Sequence, residues 1–397
     1  MNIKMKKKLL IVNQHFATGG IKKSLDNLLS ILLEQYEVRV LFISGSTKQF
    51  ENKYPNVLIS SPFILTSVLS SLKDLKEMDW FIVRLFLKII GLLIGKCIGM
   101  EKTINSIIKI SRKLGDYDCA ISYSHDNWFE NGNFFGGSNE FVLKKVNAKK
   151  KIAWIHGELD TIGLNKERLF KTYKSFNEVI TVSKACKNQF ESLSNGIIKC
   201  QCIYNLLNIE DIKNKLQNIR YSESNSIFRI VTVARLSKIA KRVDKINEIA
   251  KLLRDKGYNF KWIVVGGGSE YESCINICKE YGLESMVYYV GNQENPYTYI
   301  KESDLFVLVS DTEAMPVVIQ EALIIGTPVV TTNFSAAYES VIDGKNGFIV
   351  KKDIQSIYEK VVYCMEHKEQ LKEFRKYMQK NQINNEKTII EIKNIIG

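Results

Sequence analysis

Several features are missing from this chain, and each absence removes a class of protein. Eight cysteines in 397 residues make no disulfide framework, and none stands in a His/Cys cluster at zinc-ligand spacing. Cys200 and Cys202 alternate along an expected strand, and Cys274 and Cys278 lie one helical turn apart, which points to reduced thiols. The most apolar stretch is interrupted by Arg84, Lys88 and Lys96, so it lacks the roughly 20 predominantly apolar residues of a spanning helix. The start, "MNIKMKKKLLIVNQHF", has only a brief apolar run and no small-residue cleavage site, and is expected to be a first strand instead of a signal peptide. Gly266, Gly267 and Gly268 are not followed by the spaced third glycine of the dinucleotide fingerprint, so no NAD site is expected. No segment interleaves aromatic with basic residues, and a nucleic-acid partner is therefore not expected.

What is present is an ordinary globular composition, 45% hydrophobic and 25% charged, in a chain long enough for two or three domains. The net charge of +13 is uneven. Residues 1 to 210 hold 30 Lys and Arg against 19 Asp and Glu, so the basic character belongs to the first half. Such a surface can serve nucleic acid, an anionic membrane or a phosphorylated substrate, and charge by itself does not choose among them.

The chain is organised around residues 303 to 333, "SDLFVLVSDTEAMPVVIQEALIIGTPVVTTN". Leu305 to Ser310 is a short continuous apolar run, as expected of a parallel strand covered on both faces. Pro316 fits the first turn of a helix running to Ile325, Gly326 its stop, and Thr327 to Thr332 the next strand. Glu313 then lies at the helix mouth and Glu321 inside the helix. Backbone N–H groups at the helix start, residues 314 to 317, together with the positive end of the helix dipole, are expected to make a seat for phosphate. A carboxylate on either side suits hydroxyl groups, and the combination suggests a sugar nucleotide.

Elsewhere the chain alternates strands and helices. Lys8 to Val12, a turn with Gly19 and Gly20, an amphipathic helix and Val38 to Ser44 make a βαβ unit. Residues 62 to 115 read as very apolar helices carrying Arg84, Lys88 and Lys96. Two readings stand: core helices of the first domain, or helices in a membrane interface with Arg and Lys at headgroup level. Asp116, Tyr117 and Asp118 precede a strand and so lie at the wrong end of a parallel sheet for a ligand. His125 and His156 each follow a strand, and His156 has the pKa range of a general base. Ser183 is placed to cap the helix after it. From Phe228 a second βαβ series begins, with Arg235 at the strand end and Lys241 (Lys238 being its competitor) on the following loop, two cations suited to a diphosphate.

Glu313, seven residues, Glu321 and then "ALIIGTPVV" resemble the signature of the retaining GT-B glycosyltransferases of family 4, with Ala314 where the family usually has Gly. The resemblance is specific over residues 227 to 350 and looser over 1 to 60 and 117 to 206. It implies an α/β GT-B fold, two Rossmann-like α/β/α domains facing across a cleft. Residues 1–206 would form the acceptor-binding domain, 207–226 a linker, 227–380 the nucleotide-sugar domain, and 381–397 a helix crossing back to the first.

It further implies a metal-independent retaining enzyme without cofactor, moving a sugar from a nucleoside diphosphate donor, with uridine the expected base, to a lipid-linked oligosaccharide. Catalysis would fall to Glu313, Lys241, Arg235 and His156, the last by contact with the donor sugar or acceptor, since a retaining mechanism requires no general base. The donor would meet Glu321, Gly20, Gly266, Gly267, Gly291, Asn292 and the loop of Ala314, Met315, Pro316 and Val317. Asn205 matches the family's exit from the first domain. The implied place is the cytoplasmic face of the membrane, held peripherally through the basic first domain. The rival reading is a GT-B-shaped partner that binds glycan or enzyme without catalysis, which Ala314 and the six-residue step from Arg235 to Lys241 would favour.

Overall fold

The structure is a computed structural model that describes residues 6–16, 19–129, 132–217 and 227–397. Its fourteen strands are β1 (Lys8–Asn13), β2 (Glu37–Phe42), β3 (Leu114–Ser122), β4 (Asn127–Trp128), β5 (Phe134–Phe135), β6 (Val146–Ile155), β7 (Glu178–Thr181), β8 (Gln201–Cys202), β9 (Phe228–Val233), β10 (Phe260–Val265), β11 (Val287–Gly291), β12 (Leu305–Leu308), β13 (Val329–Thr332) and β14 (Gly347–Val350). Apart from the short antiparallel pair β4 and β5, they form two six-stranded sheets. Every pairing in those two sheets is parallel.

The first sheet has the order β2-β1-β3-β6-β7-β8 and the second β11-β10-β9-β12-β13-β14. In each the chain winds outward from a central strand, then returns to its other side and winds away. Parallel strands joined by right-handed helical crossovers give this doubly wound layout, and ligands bind where the winding reverses, outside the carboxyl ends of the strands. That point lies between β1 and β3 in the first sheet and between β9 and β12 in the second. Central strands read as unbroken apolar runs because both faces are covered: Leu9 to Val12 and Leu305 to Val307 have no exposed surface.

The chain divides into two compact units, residues 1–206 with 388–397, and residues 207–387. The expected linker is thereby corrected. Ile209–Lys215 is a helix of the second unit, opened by Asn208, whose side chain accepts from the Asp211 N–H. Asn385 binds both polar groups of Leu207, at 2.6 and 3.1 Å, and so draws that segment into the unit. Residues 218–226 lie outside the described residues. The last helix is Glu386–Ile396, and its greater part groups with the first unit.

Two sequence expectations shift in detail, for Pro316 and for the pair Arg84 and Lys88, while the expected Ser183 cap is found. Pro316 stands just before the helix Val317–Ile325, at the cap, with φ −76° and ψ 99°, while Gly326 does end the helix in the left-handed region at φ 86°. Ser183 caps the helix Lys184–Leu193, accepting from the Cys186 N–H. Arg84 and Lys88 do not stand at an outer rim. They turn inward and donate to Phe63–Leu69 and the residues just after it, because carbonyls and hydroxyls at that helix end lack other donors.

Candidate functional site

In the second unit every strand end faces one edge, so the loops after β9, β10, β11 and β12 are gathered there. The loop after β9 carries Arg235 and Lys241; the loop after β12 carries Ser310, Asp311 and Glu313. The two loops are tied by the Asp311 N–H donating to the Ala240 carbonyl at 2.9 Å. Across this junction the Lys241 ammonium is bonded to Glu313 Oε1, and the Ser310 hydroxyl donates to the same oxygen at 2.8 Å. Lys241 is one-fifth and Glu313 one-tenth exposed, so the pair is largely withdrawn from water.

A second cluster, unforeseen from the sequence, supports the first. Asp311 receives Lys245 at 2.6 Å and Arg242 at 2.7 Å, and Arg242 also holds Asp244 at 2.9 Å. Burial alone would raise the Asp311 carboxyl, but the hydrogen bonds from Lys245 and Arg242 outweigh it and hold the group below the usual range. Arg242 adopts φ 48°, a conformation side chains other than glycine seldom take. Its guanidinium spans both acids in that conformation, leaving the adjacent Lys241 to reach Glu313. The cue in the sequence was Asp311 directly after the strand run, with Arg242 and Lys245 beside Lys241. Arg235 is exposed and makes no ion pair among the described residues.

Gly266 and Gly267 follow β10. A Cβ on Gly266 would stand 1.9 Å from the Ala234 carbonyl oxygen, and φ there is +138°, so only glycine lets the two loops approach. The Gly266 N–H donates to the Gly291 carbonyl at 2.8 Å, and the Gly267 N–H to Asn292 Oδ1 at 2.8 Å. The four donor-side residues expected on separate loops are thus joined in two pairs. Ala314, Met315 and Val317 are buried at the start of the helix. Four residues into that helix, Glu321 is 3% exposed, and the buried Tyr297 hydroxyl donates to it at 3.4 Å.

In the first unit the corresponding edge holds His125 after β3 and His156 after β6. The His156 N–H donates to His125 Nδ1 at 3.2 Å. Gly157 allows this, since a Cβ there would come within 2.7 Å of the His125 ring. Burial lowers both imidazoles, His125 to about 4 and His156 to about 3, so both are neutral near pH 7. His156 Nε2 is buried without a partner among the described residues, while its ring lies 4.5 Å from that of Tyr123. A neutral ring with an open nitrogen suits a hydroxyl ligand better than it suits proton abstraction. Ser24, the fifth residue of the helix Gly20–Gln35, bonds Tyr123 at 2.6 Å and Asn205 at 2.7 Å. Gly20 opens that helix with open space where a Cβ would be. Asp118, of the acidic triplet, bonds Lys149 at 2.7 Å and the Lys8 N–H at 2.9 Å at the far end of the sheet.

Residues 219–381 match the family described as glycosyl transferases group 1, which places the match on the second unit. Among similar proteins, the capsular polysaccharide biosynthesis glycosyltransferase CapM of Staphylococcus aureus is 31% identical over 151 residues, 37% of this chain and 39% of that protein. A Campylobacter jejuni N-acetylgalactosaminyltransferase, named as acting on a diphospho-undecaprenol substrate, is 24% identical over 62% of this chain and 66% of its own. The chain spans about half the length of other curated relatives it matches, 56% and 46% for two of them. In structure, Anabaena HepE, solved with UDP and glucose, aligns with a TM-score of 0.67 over 98% of each chain at 16% identity. These neighbours are GT-B glycosyltransferases, and the two doubly wound sheets described above are the same fold. The family match covers residues 219–381, and the structural likeness shows the fold.

Proposed function

We propose that this protein is a retaining family 4 glycosyltransferase that moves a sugar from a nucleoside diphosphate donor, UDP-linked in the first instance, to a growing lipid-linked oligosaccharide of a bacterial surface glycan. The observation that carries this reading is the Lys241–Glu313 pair, set where the second sheet reverses its winding and beside the helix Val317–Ile325. Each part has a role that its chemistry supports. The backbone N–H groups of Met315 and Val317 at the helix start and the exposed Arg235 receive the diphosphate, and Lys241 meets charge developing on it as the glycosidic bond breaks. Those cations carry the leaving-group charge, so no metal is assigned. Glu313 orients sugar hydroxyls. Glu321 accepts from the ribose, and the Gly266 and Gly267 turn with Asn292 borders the base. In the first unit, His156 offers its open nitrogen to a hydroxyl of acceptor or sugar. The relatives' names, capsular polysaccharide biosynthesis and a diphospho-undecaprenol substrate, support the acceptor class, and the same reading puts the site of action at the cytoplasmic face of a membrane.

The test is thermal shift of the protein against UDP, GDP, ADP and NAD, since a ligand that binds only the folded state raises its melting temperature. Stabilisation by UDP, lost on Glu321→Ala, is the expected result. No shift with any nucleoside diphosphate would overturn the reading in favour of a non-catalytic partner.

A further inference from the structure

The 18-residue helix Phe81–Ile98 buries only Gly91 and Gly95. Both glycines face the body of the unit: a Cβ on Gly91 would strike Val68, and one on Gly95 would strike Met100. Arg84 and Lys88 lie on the same stripe at helical spacing. Arg84 donates to Thr66 Oγ1 at 2.9 Å and Ser67 Oγ at 3.1 Å with its guanidinium 4.0 Å over the Phe63 ring; Lys88 donates to the carbonyls of Val68 and Ser70 at 3.1 and 2.7 Å. Of the three cations that break the apolar run in sequence, Arg84 and Lys88 are therefore spent on the inner face, and Lys96 is exposed near the helix end.

What remains outside is an apolar ridge. Ile82 is 80% exposed, Phe86 63%, Ile89 49% and Leu93 57%. Leu92, Leu93 and Ile94 are consecutive, so at about 100° per residue they fan over about 200° of the helix, and all three are more than two-fifths exposed. Residues 80 to 100 contain no Asp or Glu. An apolar surface of this extent is uncommon on a soluble protein and marks a docking face.

Two observations identify the occupant. A flat protein face covers one side of a helix, whereas this ridge is open on three, which a fluid acyl layer can surround. The surroundings are basic: over residues 62–115, seven exposed Lys and Arg stand against two exposed acids. We propose that the helix Phe81–Ile98 lies along an anionic bilayer surface with Ile82, Phe86, Ile89 and Leu93 submerged at the headgroup and acyl boundary. It lies flat because its inner face is pinned to the body, and no helix among the described residues is long and apolar enough to cross a membrane. This docking does not depend on the sugar-transfer reading.

The full chain should sediment with phosphatidylcholine vesicles containing phosphatidylglycerol about tenfold more than with phosphatidylcholine alone. Replacing the ridge by Phe86→Ser with Leu93→Ser should lower binding to the anionic vesicles by about tenfold or more at an unchanged melting temperature. Cys97 offers a second readout, being exposed two turns beyond Ile90 on the outer side. An environment-sensitive dye on its thiol should brighten and shift to the blue with anionic vesicles. Absence of sedimentation, an unmoved dye, or a dimer in light scattering that the serine variant dissolves would each overturn the proposal.

Discussion

Lys241 and Glu313, 72 residues apart, meet as an ion pair whose carboxylate also accepts from Ser310. The lysine proposed to stabilise the leaving group is thus held by the acid proposed to orient the sugar, and each positions the other. Lys241→Ala should lower turnover by about 10²–10³-fold, the cost of one preorganised electrostatic contact. Glu313→Gln should cut turnover by a similar factor while leaving nucleotide affinity near the wild-type value. Steady-state rates with calorimetric titration of the nucleotide decide this, and an unchanged rate in Glu313→Gln removes that residue from the mechanism.

Glu321 is buried against Tyr297, which allows a structural role to be separated from a binding one. Glu321→Ala should weaken nucleotide binding about tenfold or more, as expected when a charged hydrogen-bond acceptor is lost. Tyr297→Phe removes a donor to the same carboxylate and should lower the melting temperature without a comparable change in affinity. Equal affinities for wild type and Glu321→Ala would exclude the ribose contact.

The glycines after β10 should behave differently from one another. Gly266→Ala forces a Cβ against the Ala234 carbonyl at a positive φ and should destabilise the fold by about 2 kcal/mol or more. Gly267→Ala meets only the end of the Asn292 side chain, at 2.9 Å, and should melt near wild type. Its effect should appear in nucleotide affinity, because Asn292 is displaced from the Gly267 N–H. Denaturation and titration of both variants check the contrast.

The paired histidines predict a pH dependence of stability. Their folded pKa values, about 4 for His125 and about 3 for His156, lie below the value of about 6.5 in an unfolded chain. Between these limits the unfolded state binds more protons, so their contribution is complete above pH 6.5 and is lost as pH falls towards 4. Asp126, raised to about 6 by burial, acts in the opposite sense between about pH 4 and 6. It is common to wild type and the double variant His125→Gln, His156→Asn, so the difference between them isolates the histidines. The melting temperature of the double variant should fall less steeply on acidification, and parallel curves would refute the assignment.

Much of the fold was legible in the sequence because its signals are local. Apolar runs such as Leu305 to Leu308 and Leu9 to Val12 declare strands covered on both faces, and Gly326 and Ser183 declare helix ends through their own backbone and side-chain chemistry. Once the strands are parallel, the residues after them must share one edge, so Arg235, Gly266, Asn292 and Glu313 could be gathered before any coordinates. The helix Ile209–Lys215 was less legible, since its polar sequence carries a weak apolar period and Leu207, just before it, is held by Asn385, far along the chain.

Amino-acid order by itself determined which segments become strands and helices, where they stop, and which loops lie at the carboxyl edges, because propensity and periodicity act over a few residues. Only the tertiary structure decided which polar and charged groups meet. It gave Lys241 to Glu313, Arg242 and Lys245 to Asp311, and His156 to His125. It also turned Arg84 and Lys88 inward, leaving the apolar side of Phe81–Ile98 outside. A charged side chain takes the partner that packing brings within reach, and that choice rests on the placement of elements distant in the chain.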